Sequence, residues 1–196
     1  YEDGQIITLD KVGNGLSIEN YDKNLVGYQY VKFVYTEGDT ILEKTVKIRI
    51  RALIKVSVPA SVLATIDPNK NKFISPDIKI ENDSKEPIKI GSREIIAKEN
   101  NEVIDVAPNK FKSWSQLGVS DSNFIALGLD YLSNDWKSKE LQHPLYVVDA
   151  KDTTLIGVIE KETSATLKMV ANYGTSHNTQ KEFEYDIRWH IELAEE

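Results

Sequence analysis

The sequence contains no cysteine. This absence excludes disulfide bonds, thiolate metal ligands and cysteine nucleophiles, so the stability of the folded chain has to come from packing. A cysteine-free chain suits the cytosol, and it equally suits export without an oxidative folding pathway. The compartment must therefore be inferred from other features.

Long apolar runs and basic clusters are also missing. No apolar stretch approaches the roughly 20 residues that a helix needs to cross a bilayer. The net charge is −7, and residues 1–52 carry 7 basic and 8 acidic side chains, so this segment has no excess of positive charge and the rest of the chain is more acidic. Binding to phosphate backbones requires such an excess. We expect neither a membrane span nor a nucleic-acid partner.

Familiar catalytic and metal-binding motifs do not occur in the sequence. There is no Gly-x-Ser-x-Gly elbow, no phosphate-binding glycine loop and no paired-histidine zinc motif. None of the three histidines lies two or four residues from another, and we expect all three at the surface. They are His143, His177 and His190. The sequence predicts no catalytic residue, no cofactor and no metal.

One short acidic and amide cluster resembles a calcium loop in its spacing. Asp67, Asn69 and Asn71 stand two residues apart and supply oxygen atoms, the ligands that calcium prefers. Pro68 follows Asp67, and no glycine or later glutamate completes the loop at the spacing of an EF-hand. We interpret the cluster as a turn after a strand.

The 40% of hydrophobic residues alternate with polar ones in many segments. Apolar side chains occupy every second position in Thr45–Arg51 and in Phe183–Leu193, which is typical of strands with one buried face. Thr36–Thr40, with Gly38 and Asp39, is predicted to close a hairpin. Further strands are predicted at Gln29–Tyr35, Ile54–Val58, Ile78–Ile80, Ile88–Ile95, Tyr146–Val148, Leu155–Ile159 and Ala165–Val170.

These patterns predict an all-β chain with an antiparallel, immunoglobulin-like β-sandwich architecture. We expect two domains, a partial module over residues 1–52 and a larger β-domain over residues 53–196. One continuous domain is the alternative. No glycine, serine or proline spacer stands between Arg51 and Lys55, so the junction should be stiff. Ser113–Leu132 has no single period and is predicted to contain a short helix.

Residues 13–50 resemble the C-terminal part of a bacterial group 3 immunoglobulin-like domain. The resemblance rests on the Tyr21-Asp22 turn, Gly27, the alternating strand Gln29–Tyr35 and the closing strand from Thr45. Tyr1, Asp3 and Gly4 resemble the upstream turn of the family. The resemblance implies an exported surface protein of a Gram-positive bacterium, and it implies that the first strands of the module are missing.

We expect a non-catalytic, extracellular or cell-surface protein of structural or adhesive function, such as a subunit or stalk segment of a fibre. A carbohydrate-binding module is the alternative, and an enzyme of unfamiliar type comes third. Trp114 and Trp136, each flanked by charged or hydroxyl residues, are the candidate ligand-binding residues, because flat aromatic surfaces dock sugars and proteins. Trp189 falls on the apolar face of its strand and is predicted to be core.

The missing strands of the first module predict an unpaired sheet edge. Exposed backbone donors and acceptors at such an edge can pair with a strand of another chain. We therefore expect other protein chains, including further copies of this chain, to be the partners, through residues 1–52. Lys47, Arg49 and Arg51 are positioned to limit this pairing.

Overall fold

A computed structural model describes residues 15–23, 25–50, 53–174 and 180–194. The chain divides into two compact units, residues 1–53 and residues 54–196, and each is described by itself. Several residues considered above lie outside the described residues: Tyr1, Asp3, Gly4, Arg51 and His177.

The predicted all-β fold is confirmed, with 57% strand and 5% helical residues. The helical residues form short 3-10 turns at Trp114–Gln116, Val119–Asp121 and Val147–Asp149. The strands in the described part of the chain, numbered β1 to β15 in order, are Leu16–Glu19, Gly27–Glu37, Thr40–Ile50, Val56–Ser57, Ser61–Asp67, Lys72–Ile74, Asp77–Asn82, Ile88–Ala97, Ile104–Asp105, Phe124–Tyr131, Ser138–Lys139, Leu145–Tyr146, Thr154–Ile159, Thr163–Tyr173 and Lys181–Leu193.

The first unit contains one antiparallel sheet in the order β1-β2-β3. Strands β2 and β3 form a long hairpin whose register ends at Glu37 opposite Thr40. Gly38 has a φ of +59°, which glycine adopts without a steric penalty, and the predicted reversal is confirmed. Val31 is fully buried on one face, whereas Tyr30 on the other face is exposed. The alternation seen in the sequence therefore separates a packed face from a solvent face.

A buried glutamine fixes the turn that precedes β2. The Gln29 amide nitrogen donates to the backbone oxygens of Asp22 and Leu25, both at 2.6 Å. Its oxygen accepts a hydrogen bond from the backbone N–H of Asp22 at 3.0 Å. Because the amide satisfies three backbone groups at once, the Tyr21-Asp22 turn is held in place although Gln29 itself is polar and buried.

The second unit is a β-sandwich of two sheets. One sheet has the order β12-β10-β14-β7-β4, with β9 parallel to β10, and the other has the order β11-β13-β8-β15-β5-β6. The apolar faces of both sheets contribute to one core. Its largest fully buried side chains include Phe183 and Tyr185 of β15, Ile78 and Ile80 of β7, and Leu127 of β10.

Most predicted strands are present, and three segments differ. The Ile54–Val58 strand is shortened to β4, which spans Val56–Ser57. The Tyr146–Val148 strand is wrong in its second half, because β12 ends at Tyr146 and the N–H of Ala150 donates to the Val147 oxygen in a 3-10 turn. Ser113–Leu132 contains two short 3-10 helices, which agree with the predicted short helix, and it also contains β10, which was not predicted.

Candidate functional site

A cationic and aromatic surface covers the solvent face of the β2–β3 hairpin. Tyr28 lies opposite Arg49, and Tyr30 lies opposite Lys47. The two tyrosines are 63% and 65% exposed. The Lys47 Nζ stands 4.3 Å from the centre of the Tyr28 ring, and the Arg49 guanidinium carbon stands 5.6 Å from it. We call these four residues the tyrosine face, and cation–π contacts order their side chains.

Next to the tyrosine face, a ladder of alternating charges crosses the sheet. Lys32 of β2 contacts Glu43 of β3 at 2.6 Å and Glu19 of β1 at 3.6 Å. The hydrogen bond to Glu43 raises the pKa of Lys32 above its usual value. Since two carboxylates surround Lys32, the positive charge on this side of the hairpin is concentrated at Lys47 and Arg49.

Strand β3 forms one edge of the first sheet. Its only strand partner among the described residues is β2, and the strand is 11 residues long. We call the side of β3 that faces away from β2 the β3 edge. At its start, Ile41 and Leu42 are each 61% exposed. A long edge with exposed apolar side chains presents backbone N–H and C=O groups to other strands.

The second unit has a small pocket beside the strand β12. Its volume is about 440 Å³, and Ala107, Pro108, Asn109, His143, Tyr146 and Asp149 line it. We call it the Tyr146 pocket. Within the described part of the chain, the side chains of Asn109, Tyr146 and Asp149 form no hydrogen bond or ion pair, so their polar atoms are available to a ligand. Neither lysine nor arginine lines the pocket.

Two contacts position the walls of the Tyr146 pocket. Tyr146 pairs with Gly128 of β10, where an added methyl group would lie 3.2 Å from the tyrosine Cδ1. The missing side chain at Gly128 therefore lets the ring lie against the sheet. On the other wall, the indole N–H of Trp114 donates to the Pro108 oxygen at 2.9 Å, and its ring packs edge-on against Phe111. Trp114 is half-buried, and its hydrogen bond holds the segment that carries Pro108.

Trp136 lies in the core instead of at a docking surface. Only 7% of the residue is exposed, and its ring packs edge-on against Tyr131. The fold accommodates it because Gly157 of β13 leaves space for the Trp136 ring. The Tyr131 hydroxyl donates to the Ile156 oxygen and accepts hydrogen bonds from two backbone N–H groups. A buried indole offers no free face to a sugar, so this tryptophan packs the sandwich.

A buried carboxyl group pairs with a tyrosine inside the second unit. The Tyr185 hydroxyl donates to the Asp105 carboxylate at 3.0 and 3.1 Å. Burial raises the pKa of Asp105 to about 6, although the hydrogen bond from Tyr185 opposes the shift. Burial also raises the pKa of Tyr185, and the Asp105 charge adds to this effect. Tyr185 therefore remains a neutral donor, and Asp105 titrates close to neutrality.

We compared the chain with family models, curated proteins and solved structures. Nothing matches it.

Asp67, Asn69, Asn71 and His190 are not among the residues that line the Tyr146 pocket. The Asp67 carboxylate accepts hydrogen bonds from the N–H groups of Asn69 and Lys70, at 2.9 and 3.4 Å, and the predicted turn between β5 and β6 is confirmed. The His190 Nε2 lies 3.4 Å from the Glu192 carboxylate, and both residues belong to β15. In the residues described, no three potential metal-ligating side chains converge, and no helix has the length and hydropathy to cross a membrane.

Trp189 agrees with its prediction. It packs against the hydrophobic core of the second unit and remains partly exposed. Its indole N–H donates to the Pro59 oxygen at 2.7 Å. The hydrogen bond satisfies the only polar atom of the side chain, as expected for a packed tryptophan.

Proposed function

We propose that this chain is a non-catalytic, extracellular or cell-surface protein of structural or adhesive function, which associates with other chains through its first unit. The observation that carries the proposal is the β3 edge, 11 residues without a second strand partner in the described residues. Strand addition at such an edge gives affinity through backbone hydrogen bonds. A subunit or stalk segment of a fibre uses the same interaction repeatedly.

The charges on β3 oppose some of the registers in which two β3 edges could pair with each other. A two-fold axis at Lys47 or Ile48 would place Lys47 opposite Lys47 or Arg49 of the second copy. Like charges on directly opposed strands destabilise pairing. Pairing with a different, neutral or acidic strand avoids this repulsion. A contact between two different surfaces of the same chain can repeat from copy to copy. It gives an open filament unless the rotation between successive copies closes a ring.

The exported, Gram-positive setting rests on the resemblance of residues 13–50 to a bacterial group 3 immunoglobulin-like domain. The absence of cysteine is compatible with export, and the sequence carries none of the familiar catalytic motifs. The alternative, a carbohydrate-binding module that uses Trp114 and Trp136, loses support because Trp136 is buried and Trp114 is half-buried.

Two neighbouring proline substitutions test the use of the β3 edge. Consecutive residues of an antiparallel strand direct their backbone hydrogen-bonding groups to opposite sides. One of Lys44→Pro and Thr45→Pro therefore removes an N–H that points to β2, and the other removes an N–H at the free edge. We expect the variant that loses the N–H at the free edge to keep the native circular dichroism spectrum and to lose chain-to-chain association in sedimentation velocity.

The paired design supplies its own control for folding. The variant whose spectrum is unchanged is the informative one, because an edge strand tolerates proline where the N–H faces solvent. If that variant associates as strongly as the unmodified chain, the β3 edge is not the contact. Tyr28→Ser then tests whether the tyrosine face makes the contact instead.

A further inference from the structure

We propose that the Tyr146 pocket is a binding site for one neutral sugar ring. The inference goes beyond chain-to-chain association and does not depend on it, since the pocket belongs to the second unit and the β3 edge to the first. The pocket combines an apolar wall with several polar side chains that lack protein partners. Sugar rings present the same combination, with C–H groups on their faces and hydroxyl groups on their rims.

The size of the pocket and its apolar wall fit a single ring. A volume of about 440 Å³ lies within the range of small-ligand sites, which is about 300–1,000 Å³. Pro108, Ala107 and the Tyr146 ring supply apolar surface, and the ring lies against Gly128, where a larger residue would displace it. A pre-positioned aromatic ring binds with little loss of side-chain freedom.

The polar groups fit hydroxyl groups better than other ligand chemistries. The Asn109 amide both donates and accepts, the Tyr146 hydroxyl does the same, and the Asp149 carboxylate accepts. No lysine or arginine lines the pocket to hold a phosphate, and an acyl chain would leave these polar atoms buried without partners. A neutral polyhydroxy ligand satisfies all three side chains.

Trp114 acts as a positioning residue for this site. Its hydrogen bond to the Pro108 oxygen and its contact with Phe111 fix the segment that carries Pro108 and Asn109. Trp114→Phe keeps an aromatic ring at this position and removes the N–H. We expect this change to weaken sugar binding about two- to tenfold, the effect of one neutral hydrogen bond, while the Tyr146 ring stays in place.

The test is a two-dimensional amide NMR titration of the intact chain with the methyl glycosides of glucose, galactose, mannose and N-acetylglucosamine. A ligand of this size should bind with a dissociation constant on the order of 1 mM. We expect at least one glycoside to shift the amide signals of residues 107–109 and 143–149. Tyr146→Ala should weaken this binding at least about tenfold.

Asn109→Ala and Tyr28→Ala are the matched variants. Asn109 is exposed, so its truncation preserves the fold, and we expect it to weaken binding about two- to tenfold. Tyr28→Ala replaces an exposed tyrosine of the first unit and should leave sugar binding unchanged. The proposal is overturned if no glycoside shifts these signals at about 50 mM, fifty times the expected constant, or if Tyr28→Ala removes binding that Tyr146→Ala and Asn109→Ala retain. Either result leaves association through the β3 edge unaffected.

Discussion

Asp105 should make the stability of the second unit depend on pH. Burial raises the pKa of its carboxyl from 3.8 to about 6 in the folded chain. Protonation at this site therefore favours the folded state. The stabilisation is complete below about pH 3.8, the ordinary value, and is lost as the pH rises through about 6.

The magnitude follows from the size of the shift. A shift of about 2 units corresponds to about 3 kcal/mol, at about 1.4 kcal/mol for each unit. Asp105 is only partly buried, so we expect a smaller effect of about 1–3 kcal/mol. Asp105→Asn removes the titration and keeps an acceptor for the Tyr185 hydroxyl. We take the free energy of unfolding of Asp105→Asn minus that of the unmodified chain. This difference should increase by about 1–3 kcal/mol between pH 4 and pH 7.5.

Urea denaturation followed by tryptophan fluorescence measures this difference. All three tryptophans, Trp114, Trp136 and Trp189, belong to the second unit, so the signal reports the unit that contains Asp105. Asp77→Asn is the matched control, because it removes the same charge from an exposed position on β7. The reasoning is refuted if the difference between Asp105→Asn and the unmodified chain is the same at both pH values.

Two further outcomes are expected. Gly157→Ala should lower the free energy of unfolding of the second unit by about 1–3 kcal/mol in the same urea assay. The reason is that the new methyl group would overlap the Ser138 oxygen and lie 2.9 Å from Trp136 Cε3. Gly118→Ala is the control, because the nearest neighbour of its methyl group would be Ser120 Oγ at 3.9 Å. A chelator should leave the melting temperature unchanged in calorimetry, because the Asp67 carboxylate is engaged by its own turn, and a large decrease would reveal a metal site.

The strands that sequence reasoning found have one buried and one solvated face. The last strand shows this best, since Phe183, Tyr185 and Ile187 are buried and Glu184 between them is exposed. Strand β10 was missed because its residues from Ile125 to Leu129 are all buried, so apolar residues occupy both faces and the period of two disappears.

Strand β5 was missed although half of the signal is present. Val62, Ala64 and Ile66 are buried at alternate positions. Leu63 between them is apolar as well, yet it is 52% exposed, so the contrast between the two faces is weak. A more polar residue at position 63 would have made the strand recognisable.

The candidate sites were less accessible to sequence reasoning than the strands. The charged neighbours of Trp136 indicated exposure, but the space that admits its ring is created by Gly157, which is distant in the sequence. The Tyr146 pocket combines residues 107–109 with residues 143–149, which only the folded sandwich brings together. The tyrosine face did leave a signal, since Tyr28 and Tyr30 occupy the solvent positions of an alternating strand.

The state of assembly of the intact chain tests the central claim most directly. Electron microscopy and sedimentation velocity over a range of concentrations measure it. Association through the β3 edge with a different surface predicts open, elongated assemblies that lengthen as the concentration rises. A chain that stays monomeric at every concentration, or that stops at a closed dimer, would contradict the account.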